Sequence, residues 1–139
     1  MKLKIYTDGG ARGNPGPAAV GVVIYDERGK VVFKFADTLG KQTNNVAEYC
    51  ALITALEIAK KLHGKELECF SDSTLLVNQM SGNFKIKTEH IKTLYERAKR
   101  LCEHFDSVKF QHVPREDGGI RAADSLVNQA LDGTFEVSQ

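Results

Sequence analysis

The stretch Tyr6–Gly21, YTDGGARGNPGPAAVG, decides the reading of this chain. Before it and into it, Leu3, Ile5 and Thr7 alternate with Lys4, Tyr6 and Asp8, the period-two pattern of a half-buried strand. The strand arrives at a carboxylate and then meets four glycines and two prolines between Gly9 and Pro17, a backbone suited to turning. The apolar run AAVGVVIY follows. Strands are therefore expected over 2–8, about 18–26 and about 30–38, the last two joined by DERGK, whose Gly29 suits a tight hairpin turn. Asp8 then stands at the lip of an antiparallel meander.

Beyond the meander the period changes. In TNNVAEYCALITALEIAKKLHG, residues Tyr49, Leu52, Ile53, Leu56 and Ala59 recur at helical spacing, and Gly64 reads as the C-terminal cap. A short strand (Leu67–Ser71), a helix from about Ser73 to Met80 and a longer one from about Glu89 to His104 come next. A fifth strand, Ser107–Val113, stops at Pro114, and a last helix carries Ala122, Ala123, Leu126, Val127 and Ala130 on one stripe. Hairpins followed by strand–helix alternation imply an α/β fold: a mixed sheet with the first strand central and helices packed over it. Its site belongs beyond the carboxyl ends of the central strands.

With 139 residues, 42% hydrophobic and 27% charged, the chain suits one domain spanning 1–139 with a real core. A net charge of +1 exerts no global pull on nucleic acid or membrane, so such a partner needs a local patch. MKLKIYTDGG lacks the apolar region of a signal peptide, and no stretch nears the roughly 18 apolar residues of a membrane span. A soluble, cytoplasmic protein without an obligatory protein partner is expected. Cys50, Cys69 and Cys102, widely spaced and in apolar segments, read as reduced core thiols and lack the paired spacing of a zinc site.

Four acids fall at element junctions. Asp8 and Asp72 end strands, Glu48 lies in the first turn of the long helix, and Asp124 in the first turn of the last one. Each has an ordinary alternative: Asp8 as a turn residue, Glu48 as a capping-box acid, Asp72 as a helix cap, Asp124 as a complement to a helix dipole. Glu48, however, precedes Leu52 by one helical turn and so lies against the buried stripe. Converging carboxylates repel unless a cation sits among them, and oxygen-only ligands select hard ions such as Mg²⁺. Two such ions about 4 Å apart serve in-line phosphoryl displacement. A metal-dependent nuclease is the natural hypothesis.

Four segments, YTDGGARGNPGPAAVGVVI, KQTNNVAEYCALITAL, SDSTLLVNQMSG and VPRE...RAADSLVNQAL, together resemble ribonuclease H of type 1 over nearly the whole chain. NFKIK directly after VNQMSG looks like the compact variants that lack a basic protrusion. The resemblance implies a five-stranded mixed sheet in the order 3-2-1-4-5 with helices on both faces. It implies endonucleolytic hydrolysis of the RNA strand of an RNA/DNA hybrid, giving 5′-phosphate and 3′-hydroxyl ends. Asp8, Glu48, Asp72 and Asp124 become the catalytic acids and ligands of two Mg²⁺ ions, replaceable by Mn²⁺. Glu48 would also contact the ribose 2′-hydroxyl, and Asp124 would hold the ion near the attacking water.

By the same match Gly9, Gly10, Ala11 and Arg12 contact the RNA strand, where glycine lets backbone amides approach closely. Lys41 and Thr43 form part of a phosphate pocket, and Asn14, Asn44, Asn45 and Gln79 reach sugars and base edges; Thr43–Asn45 also suit a helix N-cap. Lys85, Lys87, Lys92, Arg97, Lys99 and Arg100 form a positive patch between Asn83 and Arg100, either a solvated face or a binder of DNA phosphates. The family's loop histidine before the last acid is absent from PREDGGIRAAD, so Arg115 or Glu116 is expected to take its role. His112, in line with Val108 and Phe110, reads as a core histidine. The competing functions are another phosphotransferase of the same fold and a hybrid-binding module without catalysis.

Overall fold

The structure is a computed structural model and describes residues 1–135. In chain order its elements are β1 (Lys2–Ala11), β2 (Gly16–Tyr25), β3 (Val31–Gln42), α1 (Asn44–Lys61), β4 (Glu66–Ser71), α2 (Thr74–Met80), α3 (Glu89–Cys102), β5 (Ser107–His112) and α4 (Gly118–Asp132). The five strands form one sheet in the order β3-β2-β1-β4-β5. β1, β2 and β3 pair antiparallel, and β4 and β5 are added in parallel on the other side of β1. The β2–β3 hairpin closes where expected: Asp26 Oδ1 accepts from the Arg28 and Lys30 amides, both at 2.9 Å, and Gly29 takes a φ of 83°.

The alternation in β1 sorts its side chains between two cores. On one face Leu3, Ile5, Val22, Ile24 and Leu67 pack with Leu52 and Leu56 of α1, backed by Ile91 and Ala98 of α3. Because α1 lies between sheet and α3, apolar residues surround much of its circumference. On the other face Val23 and Ala36 meet Ala123 and Leu126 of α4. The helix comes so close that a Cβ on Gly21 would stand 2.2 Å from the Ala123 carbonyl oxygen, which makes glycine obligatory within an otherwise apolar β2. Tyr6, on this second face, stacks on Phe70 with ring centroids 4.6 Å apart.

Leu56 is fully buried at the centre of the larger core. Leu56→Ala is expected to lower unfolding free energy by about 2–5 kcal/mol, read by urea denaturation, through lost transfer energy and the cavity left behind. A change under about 1 kcal/mol would contradict this packing.

Several boundaries differ from the sequence expectation for physical reasons. β1 does not end at Asp8: Gly9, Gly10 and Ala11 continue it, paired with Val20, Ala19 and Ala18. The left-handed residue after α1 is His63 at φ 61°, whereas Gly64 is fixed by space, a Cβ there falling 2.9 Å from Leu3 Cδ1. His112 is exposed, because β5 is an edge strand and its end lies beyond the core. Among the described residues no helix is long and apolar enough to cross a membrane.

Candidate active site

Parallel pairing brings two acids level. Tyr6 of β1 registers with Phe70 of β4, so two residues further along Asp8 and Asp72 lie side by side at the carboxyl end of the sheet. The third acid arrives on α1. Thr43 caps that helix, its Oγ1 accepting from the Val46 amide at 3.3 Å, which makes Glu48 the fifth helical residue rather than a first-turn capping acid. The Glu48 carboxylate accepts from the Gly9 amide at 2.8 Å. One oxygen from each of Asp8, Glu48 and Asp72 lies within 4.8 Å of the others.

The fourth acid stands slightly apart. Asp117 caps α4, its Oδ1 accepting from the Gly119 and Ile120 amides at 2.8 and 3.3 Å, so DGG begins the helix and Asp124 falls beyond the first turn. Asp124 is exposed, yet it lines the same cavity of about 480 Å³ as the other three acids, together with Gly10, Asn44, Asn45, Ser73 and Arg115.

Four acids against one nearby cation make an electrostatically strained cluster. Burial pushes the Asp8 carboxyl up to about 8, helped by a hydrogen bond with Asp124 and by the charges of Asp72 and Asp124, while Arg115 opposes the rise. Glu48 is also held well above the usual carboxylate range, first by burial and then by Asp8, against the Gly9 amide. Arg115 Nε stands 3.7 Å from Asp72 Oδ2 on a largely exposed side chain. The donor set fits hard divalent cations: oxygen-only, converging, and short of positive charge.

The remaining candidates divide. Asn44 accepts from the Ala11 amide at 2.9 Å and its own amide donates to Asn14 at 3.0 Å, which fastens the β1–β2 connection to the start of α1. Asn14 and Asn44, with Thr43 and Asn45, line an adjoining cavity of about 300 Å³ that also takes in Thr88 and His90. Sequence reading missed Thr88 and His90, since nothing local signals that the start of α3 approaches that of α1. It missed Ser73 as a cavity residue for a similar reason: capping α2 through a 3.1 Å bond from the Leu76 amide explains it fully.

The surroundings of the other candidates are as follows. Gln79 is buried and accepts from the Tyr49 hydroxyl at 2.5 Å, so packing between α1 and α2 already engages its carbonyl. The Arg12 guanidinium turns to α4, with Nη1 2.7 Å from Asp132. Gly9 faces α1, not open solvent: a Cβ there would stand 2.2 Å from the Ala47 carbonyl. Lys41, Lys85, Lys87 and Glu116 are exposed.

A family model described as reverse transcriptase-like matches residues 6–130. A ribonuclease H of Clostridium botulinum is 31% identical to this chain, which covers 96% of that protein. This chain belongs to the ribonuclease H family. The ribonuclease H1 crystal structure from Halobacterium salinarum superposes with a TM-score of 0.91 at 41% identity, covering 96% of this chain and 99% of that one. LC11 ribonuclease H1, isolated from compost and solved in complex with an RNA/DNA hybrid, gives 0.88 at 42% identity, covering 96% and 99%. The order β3-β2-β1-β4-β5 with four helices is thus a ribonuclease H1 fold. A bifunctional protein of Mycobacterium tuberculosis is 41% identical over 98% of this chain. The chain spans 37% of that protein's length and 65% of the Halobacterium ribonuclease HI sequence.

Proposed function

We propose that the chain is an endonuclease that hydrolyses the RNA strand of RNA/DNA hybrids by a two-metal-ion mechanism, leaving 5′-phosphate and 3′-hydroxyl ends. The observation that carries this reading is the gathering of Asp8, Glu48 and Asp72 within 4.8 Å, with Asp124 on the rim. All four acids are assigned as metal ligands and catalytic residues, with Mg²⁺ as the ion and Mn²⁺ as its substitute. Bound there, divalent ions would offset the charge of the acids and supply electrophilic stabilisation to the phosphate undergoing displacement.

The chain's own residues do the rest. The Gly9 amide holds Glu48 against the sheet, so that this acid stays beside Asp8. Gly10 and Ala11 line or border the cavity with free space for a backbone to approach, and Asn14, Thr43, Asn44 and Asn45 shape the adjoining cavity for the DNA strand. Arg115, exposed yet beside Asp72, is the residue that takes the loop histidine's role; Glu116 is not among the residues lining the cavity. Lys41, Lys85 and Lys87 are assigned to DNA phosphates. We keep the reading of one domain, cytoplasmic, with no obligatory protein partner.

The test is cleavage of end-labelled hybrid, duplex DNA, duplex RNA and single-stranded RNA of one sequence. Hybrid alone should be cut in millimolar Mg²⁺ or Mn²⁺, with no product in EDTA. The rate at limiting substrate should fall at least tenfold between about 50 and 200 mM salt, as counterion release by several lysines demands. Binding of hybrid without cleavage in either metal would return the chain to a binding module, and salt-independent cleavage would remove the lysine patch from the interface.

A further inference from the structure

Asp124, Asn128 and Asp132 recur every four residues on α4 and form one stripe on its solvent side, away from buried Ala123, Leu126 and Val127. Arg12, immediately after β1, reaches across to this stripe. Its Nη1 donates to Asp132 Oδ1 at 2.7 Å and its Nη2 to Asn128 Oδ1 at 3.3 Å. Asn128 Nδ2 in turn donates to Asp124 Oδ2 at 3.5 Å.

The chemistry of the three groups fixes the direction of this chain of contacts. A guanidinium only donates and an ionised carboxylate only accepts, whereas an asparagine amide offers a carbonyl at one end and N–H groups at the other. With the carbonyl toward Arg12 and the N–H groups toward Asp124, both ends are satisfied. Flipped, the amide would set N–H against guanidinium and oxygen against carboxylate. Arg12 therefore determines which way Asn128 faces, and Asn128 offers Asp124 a donor.

Asp124 needs such a partner more than the other acids do. Glu48 is held by the Gly9 amide and Asp8 is buried, but Asp124 is exposed, so its hydrogen bond with Asp8 costs it rotamer freedom that a second contact would already have removed. We propose that Asn128 is a positioning residue for Asp124, aimed by Arg12, and that this chain of contacts sets the place of the fourth carboxylate at the rim of the cavity. The inference rests on the reading of Asp124 as an active-site acid. It also gives Arg12 a role other than touching RNA: the β1–β2 connection, already fastened to α1 through Asn44, is tied by Arg12 to the helix that carries Asp124.

The experiment compares the full chain with Asn128→Ala, Asn128→Asp, Asp124→Asn and the Asp124→Asn/Asn128→Ala double variant. Melting temperature, kcat and KM on hybrid, and Mn²⁺ affinity by titration calorimetry without substrate are measured. Asn128→Ala should keep its melting temperature within about 2 °C and its KM near wild type. Its kcat should fall about tenfold and its Mn²⁺ affinity weaken several-fold, as loss of a ligand-orienting contact does. Asn128→Asp keeps the acceptor for Arg12 but turns a carboxylate toward Asp124, so its kcat should fall at least as far. The double variant should be no slower than Asp124→Asn alone, since the two act as one unit.

Wild-type kcat in Asn128→Asp would mean that Asn128 merely braces Arg12, and the proposal would be overturned. Should Asn128→Ala lose its fold, the near-isosteric Asn128→Asp carries the test. If Asp124→Asn is inactive while Asn128→Ala and Asn128→Asp match wild type in kcat, only the positioning role fails. If Asp124→Asn itself cleaves at the wild-type rate, the assignment of Asp124 fails and the positioning role falls with it.

Discussion

Asp8→Asn should lower hybrid cleavage by roughly a thousandfold or more while raising the melting temperature of the metal-free protein. The two effects share one cause. Asp8 is buried among Glu48, Asp72 and Asp124, where its negative charge is useful only to a bound cation. Electrostatic stabilisation of this kind is worth roughly 10² to 10³ per group in catalysis, and removing a metal ligand reaches the upper part of that range. Without metal the same charge is unfavourable. Burial, with the neighbouring acids, pushes the folded Asp8 carboxyl up to about 8 from an ordinary 3.8. For a carboxyl raised in this direction the folded state binds the extra proton, so its stabilising contribution is complete below the unfolded value and is lost as pH climbs through the folded one.

Asparagine has no such dependence. The melting-temperature advantage of Asp8→Asn over wild type should therefore be small near pH 4 and grow to at least about 4 °C at pH 8 in EDTA. Added Mg²⁺ should stabilise wild type more than the variant at pH 8, because binding to the folded state alone raises stability by mass action. Scanning calorimetry at three pH values with and without Mg²⁺ reads all of this. A variant that cuts hybrid at the wild-type rate, or that melts below wild type at pH 8 without metal, would remove Asp8 from a metal-binding cluster.

The elements that were legible in the sequence are those whose signal is local. The period-two alternation of Leu3, Ile5 and Thr7 and the helical recurrence of Leu52, Leu56 and Ala59 report burial directly, and the structure buries all six. Two of the clustered acids, Asp8 and Asp72, were legible by another route, since an acid at the end of a strand in an α/β sheet has few places to go except the shared carboxyl edge, and Glu48 was legible from its place one helical turn before Leu52. What escaped was whatever depends on a distant element. Gly9 to Ala11 look like a turn because glycine weakens strands, yet β2 supplies the pairing and α1 requires the missing side chain. Gln79 was expected to reach sugars and base edges, and no local signal showed that Tyr49 comes from another helix to donate to it. His112 matched the alternation of Val108 and Phe110, but alternation cannot tell a residue on a strand face from one past the edge of the core. Asp117 was invisible as a cap because the following glycines read as loop, and moving the helix start back to Gly118 places Asp124 further along α4 than expected.

The adjacent glycines of β1 should separate fold from substrate recognition. On Gly9 a Cβ would lie 2.2 Å from both the carbonyl carbon and oxygen of Ala47 and 2.5 Å from the Glu48 amide nitrogen, all backbone atoms of α1. No rotamer change relieves such a contact; the helix must move off the sheet, and Leu52 and Leu56 move with it. Gly9→Ala should therefore destabilise the protein by about 3 kcal/mol, at the severe end of overpacking, and pull Glu48 away from Asp8 in whatever remains folded. On Gly10 the added Cβ would meet only Val127 Cγ1 at 3.8 Å, an ordinary contact, and the residue has no left-handed φ to forbid a side chain. Gly10→Ala should stay within about 1 kcal/mol of wild type by urea denaturation. Because Gly10 lines the cavity beside the acids, its cost should instead appear as a KM for hybrid raised several-fold at nearly unchanged kcat, the signature of lost ground-state binding. Equal stability losses at both positions would mean that β1 tolerates no side chain here for reasons of strand geometry alone. An unchanged KM in Gly10→Ala would show that the RNA strand does not approach this glycine, and that the glycine pair serves only to bring α1 down onto the sheet.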